Sequence, residues 1–442
     1  MIQKQTTHSS IQLTTIVGGG QTLGQLPDGK KVFVWGGLPD ETVTIQTTKR
    51  KSSYDQALVT AVEQASDQRV VPHDPASYLS TSPWQIMRVD AEQHYKAALI
   101  EEAFELHDIV LPSAIEVYSD NVIYGYRNKV EFSWYGHEID GSETLELAFF
   151  RRGSRGKIPV DDFALARPEI NTLARAIRDL LRQQPNITAR NLKTLLIRCD
   201  QSGNCVWQLY VKDKLPDVIT AEQAAALPAQ GGEIIYSDPR SPASRITERL
   251  AAFDDIVLND TILGVPFHYA TEGFFQVNIP VYEHALRDMR KWVDSDELTP
   301  QGDVIDLYAG VGSIGLTIGG DNCTLVEIDE NAVREMRRNI TEQGSSASAV
   351  LAASEKALDL ITHDATVIVD PPRAGLHADL IAKLIEARPQ RIIYLSCNPV
   401  TQARDVGLLC ADKTYGIRTH RGYNFFPRTP HIEHLVVLDR ID

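Results

Sequence analysis

The 442-residue chain is poor in cysteine and has no long hydrophobic run. Its five cysteines form no C-x-x-C pair, and their odd number argues against a disulfide framework or a zinc ribbon. No run of about 18 or more apolar residues occurs and the N-terminus is polar, so we expect a cytoplasmic protein without a membrane span or secretory signal. Hydrophobic residues make up 43% of the chain, which is enough for several cores and excludes disorder as its main state.

Positive charge is also scarce, because 44 Lys and Arg residues face 59 Asp and Glu residues and leave a net charge of −15. Taken alone, this balance argues against a nucleic-acid partner, since phosphate binding normally leaves a basic footprint. Net charge describes the whole surface, however, whereas binding needs only a local basic track. We therefore expect a cationic face on an acidic body, with steeply salt-dependent affinity.

Three short stretches supply candidates for that track. Residues 126–129 and 150–157 together hold six cations and two aromatic residues, a mixture that suits phosphates and stacked bases. The third stretch, 49–51, is either an exposed basic patch or a solvated loop. The candidate cations are Lys49, Arg50, Lys51, Arg127, Lys129, Arg151, Arg152, Arg155 and Lys157.

The first two thirds of the chain mix short strands with a few helices. Strand-like runs at 11–16, 32–35, 42–47 and 57–62, separated by glycine and proline turns, predict a small closed barrel. Residues 90–106 carry apolar side chains at helical spacing. A central α+β region follows, with strands expected at 129–135, 145–150, 193–198 and 206–211 and a helix at 169–181.

From residue 304 onward, buried apolar runs alternate with helices. The runs lie at 304–308, 324–328, 350–352, 366–369 and 391–396, and the helices at 331–343, 378–387 and 401–409. This alternation predicts a doubly wound, mostly parallel α/β sheet. The chain is therefore divided into domains 1–66, 67–262 and 263–442, with helix 90–107 as a candidate to pack on the last of them.

A glycine loop follows the first apolar run of this α/β region. Asp306 lies within the run, Gly310 and Gly312 form the loop, and Glu327 ends the next run. Such a constellation is either a nucleoside-binding site or merely a turn between strand and helix. The set is more typical of S-adenosylmethionine (SAM) methyltransferases than of NAD enzymes, because a sulfonium cofactor lacks a pyrophosphate and favours carboxylates.

Three polar segments are expected at the carboxyl edge of the same sheet. They begin at Asp370 after the fourth run, at Ser396 after the fifth run, and at His431 near the C-terminus. Open α/β sheets bind their ligands at this edge. Cys397 precedes Asn-Pro and is presented in a turn there, whereas the other four cysteines are interpreted as inert structural residues.

Five ordered motifs resemble those of the RNA 5-methyluridine methyltransferases. They are FFQVN (274–278), DLYAGVG (306–312), DPPR (370–373), LSCNP (395–399) and FPRTPHIE (426–433). The N-terminal strand and glycine pattern is similar to the TRAM domain, an OB-like barrel of RNA-modifying enzymes, so the resemblance covers nearly the whole chain. It implies a TRAM barrel, a central α+β RNA-binding domain and a Rossmann-like class I SAM-dependent methyltransferase domain.

The resemblance also implies roles for individual residues. Cys397 would add to C6 of uracil, which activates C5 toward a sulfonium methyl group, and Glu433 would remove the C5 proton. Arg373 would orient its loop beside the substrate. A buried uridine would have to be flipped out, with Phe274, Phe275 and Phe426 as stacking partners unless they are core residues. The implied SAM contacts are Gln276, Tyr308, Gly310, Gly312, Glu327 and Asp370.

The sequence departs from the family at three places. The cysteines that hold an iron–sulfur cluster in many relatives are absent, so no cluster and no metal site are expected. Ala353 stands where relatives often carry an acidic or amide adenine contact, leaving Ser354 or Glu355 as substitutes. Asn424 replaces a common Asp.

The leading hypothesis is a monomeric enzyme that methylates uridine C5 in tRNA or ribosomal RNA with SAM. Two alternatives stay open. One is an RNA-binding or folding module with a vestigial methyltransferase domain, and the other is a methyltransferase for DNA or a small molecule, which would leave the barrel without a role.

Overall fold

The structure is a computed structural model that describes residues 6–139, 142–242, 244–293, 303–320 and 322–441. The residues group into two compact units, each with its own hydrophobic core. The first unit comprises Met1–Tyr95, Val122–Ile256 and Pro427–Pro430; the second comprises Lys96–Asn121, Val257–Phe426 and His431–Asp442. The division into three domains stays a prediction.

The first unit begins with a closed five-stranded barrel of strand order β1-β2-β3-β5-β4. Strict alternation of buried and half-buried residues in β4 points one face of this strand into the barrel, where Val43 and Ile45 are buried. The expected barrel is confirmed, although β2 was not predicted. Its strands are β1 (Thr7–Ile16), β2 (Thr22–Gln25), β3 (Lys31–Trp35), β4 (Thr42–Arg50) and β5 (Tyr54–Gln64).

A helical stretch follows the barrel. It contains α1 (Tyr78–Thr81), a 3₁₀ turn (Pro83–Ile86) and α2 (Val89–Glu105), and it leads to the two-residue strand β6 (Val117–Tyr118). Residues of α2 up to Tyr95 belong to the first unit, and the remainder belong to the second unit.

A seven-stranded sheet completes the first unit, with strand order β13-β12-β11-β10-β7-β8-β9. Helix α3 buries Ile170, Leu173, Ile177 and Leu181 in the core of this sheet at the spacing of one helical face. The elements are β7 (Lys129–Ile139), β8 (Ser142–Phe150), β9 (Lys157–Pro159), α3 (Pro168–Arg182), β10 (Leu192–Cys199), β11 (Cys205–Val211), α4 (Ala221–Ala225), β12 (Gly231–Tyr236) and β13 (Glu248–Asp254).

The second unit contains a hairpin and an eight-stranded sheet of order β18-β17-β16-β19-β20-β22-β21-β6. The hairpin strands are β14 (Val257–Ile262) and β15 (Val265–Ala270), followed by α5 (Ile279–Val293). The sheet strands after β6 are β16 (Val304–Leu307), β17 (Cys323–Glu327), β18 (Ser348–Leu351), β19 (Thr366–Val369), β20 (Arg391–Ser396), β21 (Tyr415–Tyr423) and β22 (Glu433–Arg440). The helices are α6 (Gly315–Ile318), α7 (Glu330–Gln343), α8 (Ala378–Ala387) and α9 (Pro399–Cys410), and 3₁₀ turns lie at Ser354–Lys356 and Leu358–Leu360.

The five strands that lie side by side in the order β18-β17-β16-β19-β20 are parallel. Successive strands of the chain are added first on one side of β16 and then, from β19, on its other side, as in a doubly wound sheet. Strand β22 is inserted antiparallel between β20 and β21. All four residues of β16 and of β19 are buried, and six of these eight are apolar, as covered parallel strands favour. The expected parallel α/β sheet is therefore confirmed, whereas β21, β22 and the β14–β15 hairpin were not predicted. Within the described ranges, no helix has both the length and the apolarity that a membrane crossing requires.

Candidate active site

The glycine loop lies at the carboxyl end of β16, beside the point where the strand order reverses. Tyr308 and Gly310 both adopt left-handed backbone conformations, with φ of 64° and 58°. A Cβ atom on Gly310 would meet no other atom within 4 Å, so open space adjoins the backbone at this position. The loop therefore combines a strained turn with room for a ligand to approach the main chain.

Asp306 supports this loop from inside the sheet. Its Oδ2 accepts a hydrogen bond from the backbone N–H of Gly315 at 2.8 Å, whereas its Oδ1 is buried without a hydrogen-bond partner among the described residues. Burial raises the pKa of Asp306 to about 8, with Asp370 and Glu327 adding to the shift and the Gly315 hydrogen bond opposing it. A buried carboxyl oxygen without a partner needs an explanation, and a hydrogen bond with a ligand would supply one.

Glu327 ends β17 and folds back over the glycine loop. Its Oε2 accepts from Gly310 N at 3.0 Å, and its Oε1 accepts from Ile328 N and Asp329 N, both at 2.8 Å. Backbone donors thus fix this carboxylate at the end of the second strand. Its remaining lone pairs can accept hydrogen bonds from hydroxyl groups.

Tyr308 and Ser354 form the other side of the loop. The half-buried Tyr308 hydroxyl hydrogen bonds with Ser354, and burial together with the nearby Glu355 raises the Tyr308 pKa. Ser354 and Glu355, the two candidates for the adenine contact, are therefore both close to Tyr308. Whether either contacts a nucleoside stays a prediction.

The FFQVN segment has one exposed and several buried side chains. Phe274 is 72% exposed, whereas Phe275 is buried and stacks on Tyr269 with ring centroids 4.0 Å apart. Gln276 is buried, and Asn278 donates from Nδ2 to the carbonyl of Phe425 at 3.2 Å. Phe275 is thus a core residue, and Phe274 is the ring of this pair that remains available for stacking.

Cys397 lies one residue past the end of β20, and Glu433 begins the adjacent strand β22. Ser396 of β20 pairs with His434 of β22 in the antiparallel ladder, and Cys397 follows Ser396 just as Glu433 precedes His434. The two side chains are close enough for Glu433 to raise the Cys397 pKa. Asp370 follows β19, whose Val369 pairs with Tyr394 of β20, so it lies at the same edge.

Burial dominates the electrostatics of this edge. It raises the pKa of Asp370 to about 7, and it raises the pKa of Glu433 well above its usual range, with Asp370 adding to the shift. The Cys397 pKa is raised to about 11 by burial and by Glu433 and Asp370, while Arg373 opposes the shift. Two nearby carboxyl groups in a buried site cannot both ionise cheaply, so one holds a proton near neutral pH.

Arg373 is held beside this cluster by its backbone. Its carbonyl accepts from Asn398 Nδ2 at 2.8 Å and from the Thr401 hydroxyl at 3.2 Å, which ties the DPPR loop to the turn after Cys397. Its exposed guanidinium reaches His431, with Nη2 at 3.3 Å from Nδ1. Both histidine and arginine face solvent at the rim of the edge.

The cations expected to bind RNA lie in the first unit and differ in their surroundings. Arg152 makes contacts within the first unit: its guanidinium lies 4.1 Å from the centroid of the Trp35 ring, and its Nε donates to Leu79 O. Arg127 is half-buried and donates from Nε to Lys129 O at 2.9 Å. Five of the nine candidate cations have exposed side chains: Lys49, Arg50, Lys51, Arg151 and Arg155.

Sequence reasoning missed several residues that build the site. Asn398 was seen only as part of a turn and Thr401 only as the start of a helix, although their positions after Cys397 could have suggested a helix cap and a loop anchor. Tyr282 of α5 was also missed; it is buried, and its hydroxyl lies 2.8 Å from Ser313 Oγ in the glycine loop. No local signal marks it, because its contact depends on the packing of α5 against the loop.

The described part of the chain contains no cluster of three or more His, Cys, Asp or Glu residues suited to a metal ion. Comparison with solved structures finds the tRNA (uracil-54, C5)-methyltransferase of Pyrococcus abyssi, crystallised with S-adenosyl-L-homocysteine. The TM-score is 0.77 at 19% identity, over 97% of this chain and 100% of that chain. The fold is therefore shared over nearly the full length of both proteins.

Relatives in sequence have similar lengths. An uncharacterized RNA methyltransferase of Lactiplantibacillus plantarum is 28% identical over 93% of each chain, and one of Enterococcus faecalis is 27% identical over 93% of each chain. The family model described as tRNA (uracil-5-)-methyltransferase matches residues 90–441, which include all five motifs of the second half of the sequence. The chain therefore belongs to the tRNA (uracil-5-)-methyltransferase family.

Proposed function

We propose that the protein transfers a methyl group from SAM to C5 of a uridine in structured RNA, through a covalent adduct between Cys397 and C6. The observation that carries this proposal is the facing register of Cys397 and Glu433 at the carboxyl end of the sheet. The reaction requires two different groups on the adjacent carbons C5 and C6 of one ring. A thiol in the turn after β20 and a carboxyl group at the start of β22 meet that requirement.

The glycine loop and its carboxylates fit SAM. Gly310 leaves open space beside its backbone, Asp306 keeps a buried oxygen unpaired, and Glu327 is fixed where ribose hydroxyls can donate to it. We assign Gln276, Tyr308, Gly312 and Asp370 to the same site as cofactor contacts. SAM supplies an electrophilic methyl group when it is bound.

Cys397 begins the reaction on the RNA base. C5 of uracil is a poor nucleophile, and a bond from the thiolate sulfur to C6 moves electron density onto C5 and O4. With a pKa of about 11 the thiol must lose its proton as it attacks, and Asp370, with a pKa of about 7, is well matched to accept that proton near neutral pH. The cationic Arg373 favours the thiolate.

Glu433 completes the reaction. Once C5 carries the new methyl group, its remaining hydrogen must leave as a proton. Glu433 accepts this proton after its own carboxyl group, which burial keeps protonated near neutral pH, has released a proton to solvent. The electron pair of the C5–H bond forms the C5–C6 double bond, and the C6–S bond breaks to release the Cys397 thiolate. Burial and the raised pKa make Glu433 a stronger base than an exposed carboxylate.

The RNA would be held by a basic face on the first unit. The 150–157 loop packs on the barrel, since a Cβ on Gly153 would lie 2.9 Å from Thr48 Cγ2 and Arg152 caps Trp35. This packing brings the exposed Arg151 next to the exposed cations that follow Thr48. Phe150 is 61% exposed with Lys157 Nζ 5.3 Å from its ring centroid, so this face also offers a stacking surface.

The test is incubation of the protein with labelled SAM and with unmodified tRNA or ribosomal RNA, followed by nucleoside analysis. Labelled 5-methyluridine in one of these RNAs supports the proposal and identifies the RNA class. RNA binding without SAM affinity or turnover would instead support a binding module with a vestigial methyltransferase domain. Label in another nucleoside would overturn the uracil-C5 assignment.

A further inference from the structure

Two buried polar side chains, Gln402 and His434, lie behind the sheet edge that carries Cys397 and Glu433, on the opposite face of the sheet. Successive side chains of a strand point to opposite faces, so His434 lies on the face opposite Glu433. There it meets Gln402 of α9, and both residues are fully buried. Buried polar side chains are expensive unless they are hydrogen bonded, so this pair needs a structural explanation.

Gln402 uses its side-chain amide to connect the two catalytic strands. Its Nε2 donates to Tyr394 O of β20 at 3.0 Å and to His434 O of β22 at 2.9 Å. Its Oε1 lies 2.7 Å from His434 Nδ1, which must donate because the amide oxygen can only accept. Its backbone N–H also donates to Asn398 O at 3.1 Å, in the turn that presents Cys397.

His434 is in turn oriented by a second histidine. With Nδ1 protonated, the neutral ring presents the lone pair of Nε2, which lies 3.3 Å from His420 Nδ1. Burial and His420 hold the His434 pKa well below its usual range, so the neutral ring persists at ordinary pH. Burial lowers the His420 pKa, so its neutral ring donates from Nδ1 to His434 and accepts at Nε2 from the Ser113 hydroxyl at 3.2 Å, which anchors these contacts in the segment after α2.

We infer that Gln402 and His434 are positioning residues that set the placement of Cys397 relative to Glu433. Gln402 contacts residues on both sides of Cys397, and His434 is the residue directly after Glu433. The Gln402 amide therefore fixes the end of the β20–β22 ladder, directly beside Cys397 and Glu433. The inference rests on the proposed function, because it concerns the spacing of the thiol and the base.

The main test is Gln402→Leu, compared with wild type in single-turnover methylation. We expect the rate to fall roughly ten- to hundredfold, since displacement of about 1 Å at a reacting group has effects of this size. S-adenosylhomocysteine affinity, measured by calorimetry, should change less than about twofold. The denaturant-resistant RNA–protein adduct should persist longer, because a displaced Glu433 removes the C5 proton more slowly.

A matched control is Gln85→Leu in the first unit. Gln85 is also fully buried, donates from Nε2 to Asp74 Oδ2 at 3.0 Å and Ser82 Oγ at 2.7 Å, and accepts from Asp74 N at 2.9 Å. Its loss should lower the melting temperature without prolonging the adduct. An equal prolongation in both variants would overturn the inference.

A second pair of variants covers the case in which Gln402→Leu does not fold. His434→Asn keeps an amide N–H donor near the position of Nδ1 and should retain activity within about threefold, whereas His434→Leu should behave as described for Gln402→Leu. Equal rates for these two variants would overturn the inference. An inactive wild-type enzyme would count against the proposed function itself, so the two failures are distinguishable.

Discussion

Glu433 stands opposite Cys397 across two antiparallel strands, one step beyond the pair formed by Ser396 and His434. Groups that act in succession on neighbouring ring atoms must keep a fixed spacing. Glu433 is held in strand β22, and the turn after Cys397 is tied to the Arg373 carbonyl by Asn398 and Thr401. The insertion of β22 between β20 and β21 creates this spacing. The proposed division of labour between nucleophile and base leads directly to the first two predictions.

Replacement of the nucleophile should abolish methylation without removing the cofactor. We expect Cys397→Ala to lose at least about a thousandfold in rate, because C5 is then not activated, and to bind S-adenosylhomocysteine normally. The measurement is label transfer to RNA together with calorimetry. Cys410→Ala is the control, since this half-buried cysteine of α9 lies outside the proposed site and should leave the rate unchanged. Substantial activity in Cys397→Ala would exclude the covalent route.

Removal of the base should stop the reaction after methyl transfer. In Glu433→Gln the thiol can still attack C6, but no carboxylate takes the C5 proton, so the C6–S bond cannot break. The adduct should accumulate as a shifted band that survives denaturant and disappears with RNase. The same band must be absent from the double variant with Cys397→Ala. Turnover by Glu433→Gln at the wild-type rate would assign the base role to another group.

The elements with strong local patterns could be predicted from sequence. Strand β19, helix α8 and strand β20 have the bounds that the apolar runs and helical spacing indicate. Both strands are buried over their whole length, and the helix buries a single face. The antiparallel strands β21 and β22 were missed. Strand β21 is rich in polar and glycine residues and its role depends on tertiary pairing, which no local pattern encodes.

Site residues that belong to a recognisable sequence motif could be predicted, whereas residues whose role depends on packing could not. Cys397, Asp370 and Glu433 stand in recognisable motifs, whereas their proximity follows from the order of the strands. Gln402 and His434 would be read as surface residues by composition alone, although both are fully buried. Arg428 belongs to the FPRTPHIE motif, but in the first unit it forms a buried ion pair with Glu92 at 3.0 Å.

The charge of Arg373 should control the reactivity of the thiol. Arg373 lowers the Cys397 pKa, so Arg373→Gln should raise it and reduce the thiolate fraction at every pH below the pKa. Alkylation of Cys397 by iodoacetamide should become several-fold slower at pH 8, and the deficit should shrink as the pH approaches the pKa. The measurement is made in a Cys410→Ala background, because the remaining cysteines are buried. Lys383→Gln, which removes a half-buried cation of α8, should leave the alkylation rate unchanged.

The exposed cations of the first unit should govern the salt dependence of RNA binding. Each phosphate contact that is lost reduces the slope of log affinity against log salt by about 0.7–0.9. Lys49→Gln combined with Arg151→Gln should therefore weaken RNA binding and lower the slope by roughly 1.5. Filter binding between 50 and 300 mM salt measures both quantities.

Arg152→Gln provides the contrast within the same loop. It removes the contact with the Trp35 ring and the hydrogen bond to Leu79 O, both inside the first unit, so it should lower thermal stability. Its salt slope should match that of wild type. A reduced slope for Arg152→Gln with none for the Lys49 and Arg151 variant would place the RNA on a different face.

The last prediction concerns stability and the buried Asp306. Its carboxyl pKa rises from an ordinary value of 3.8 to about 8 in the folded protein, so between these values the folded state binds more protons than the unfolded state. Folding stability must then fall as pH rises through this interval, by up to about 1.4 kcal/mol per pH unit for one proton. Asp306→Asn keeps an oxygen to accept from Gly315 N and removes the titration. Urea unfolding at pH 5.5, 6.5 and 7.5 should therefore show a shallower loss of stability in Asp306→Asn than in wild type. Asp370 and Glu433 titrate in both proteins, so their effects cancel in the comparison, and identical pH slopes would mean that Asp306 is ionised within the folded sheet.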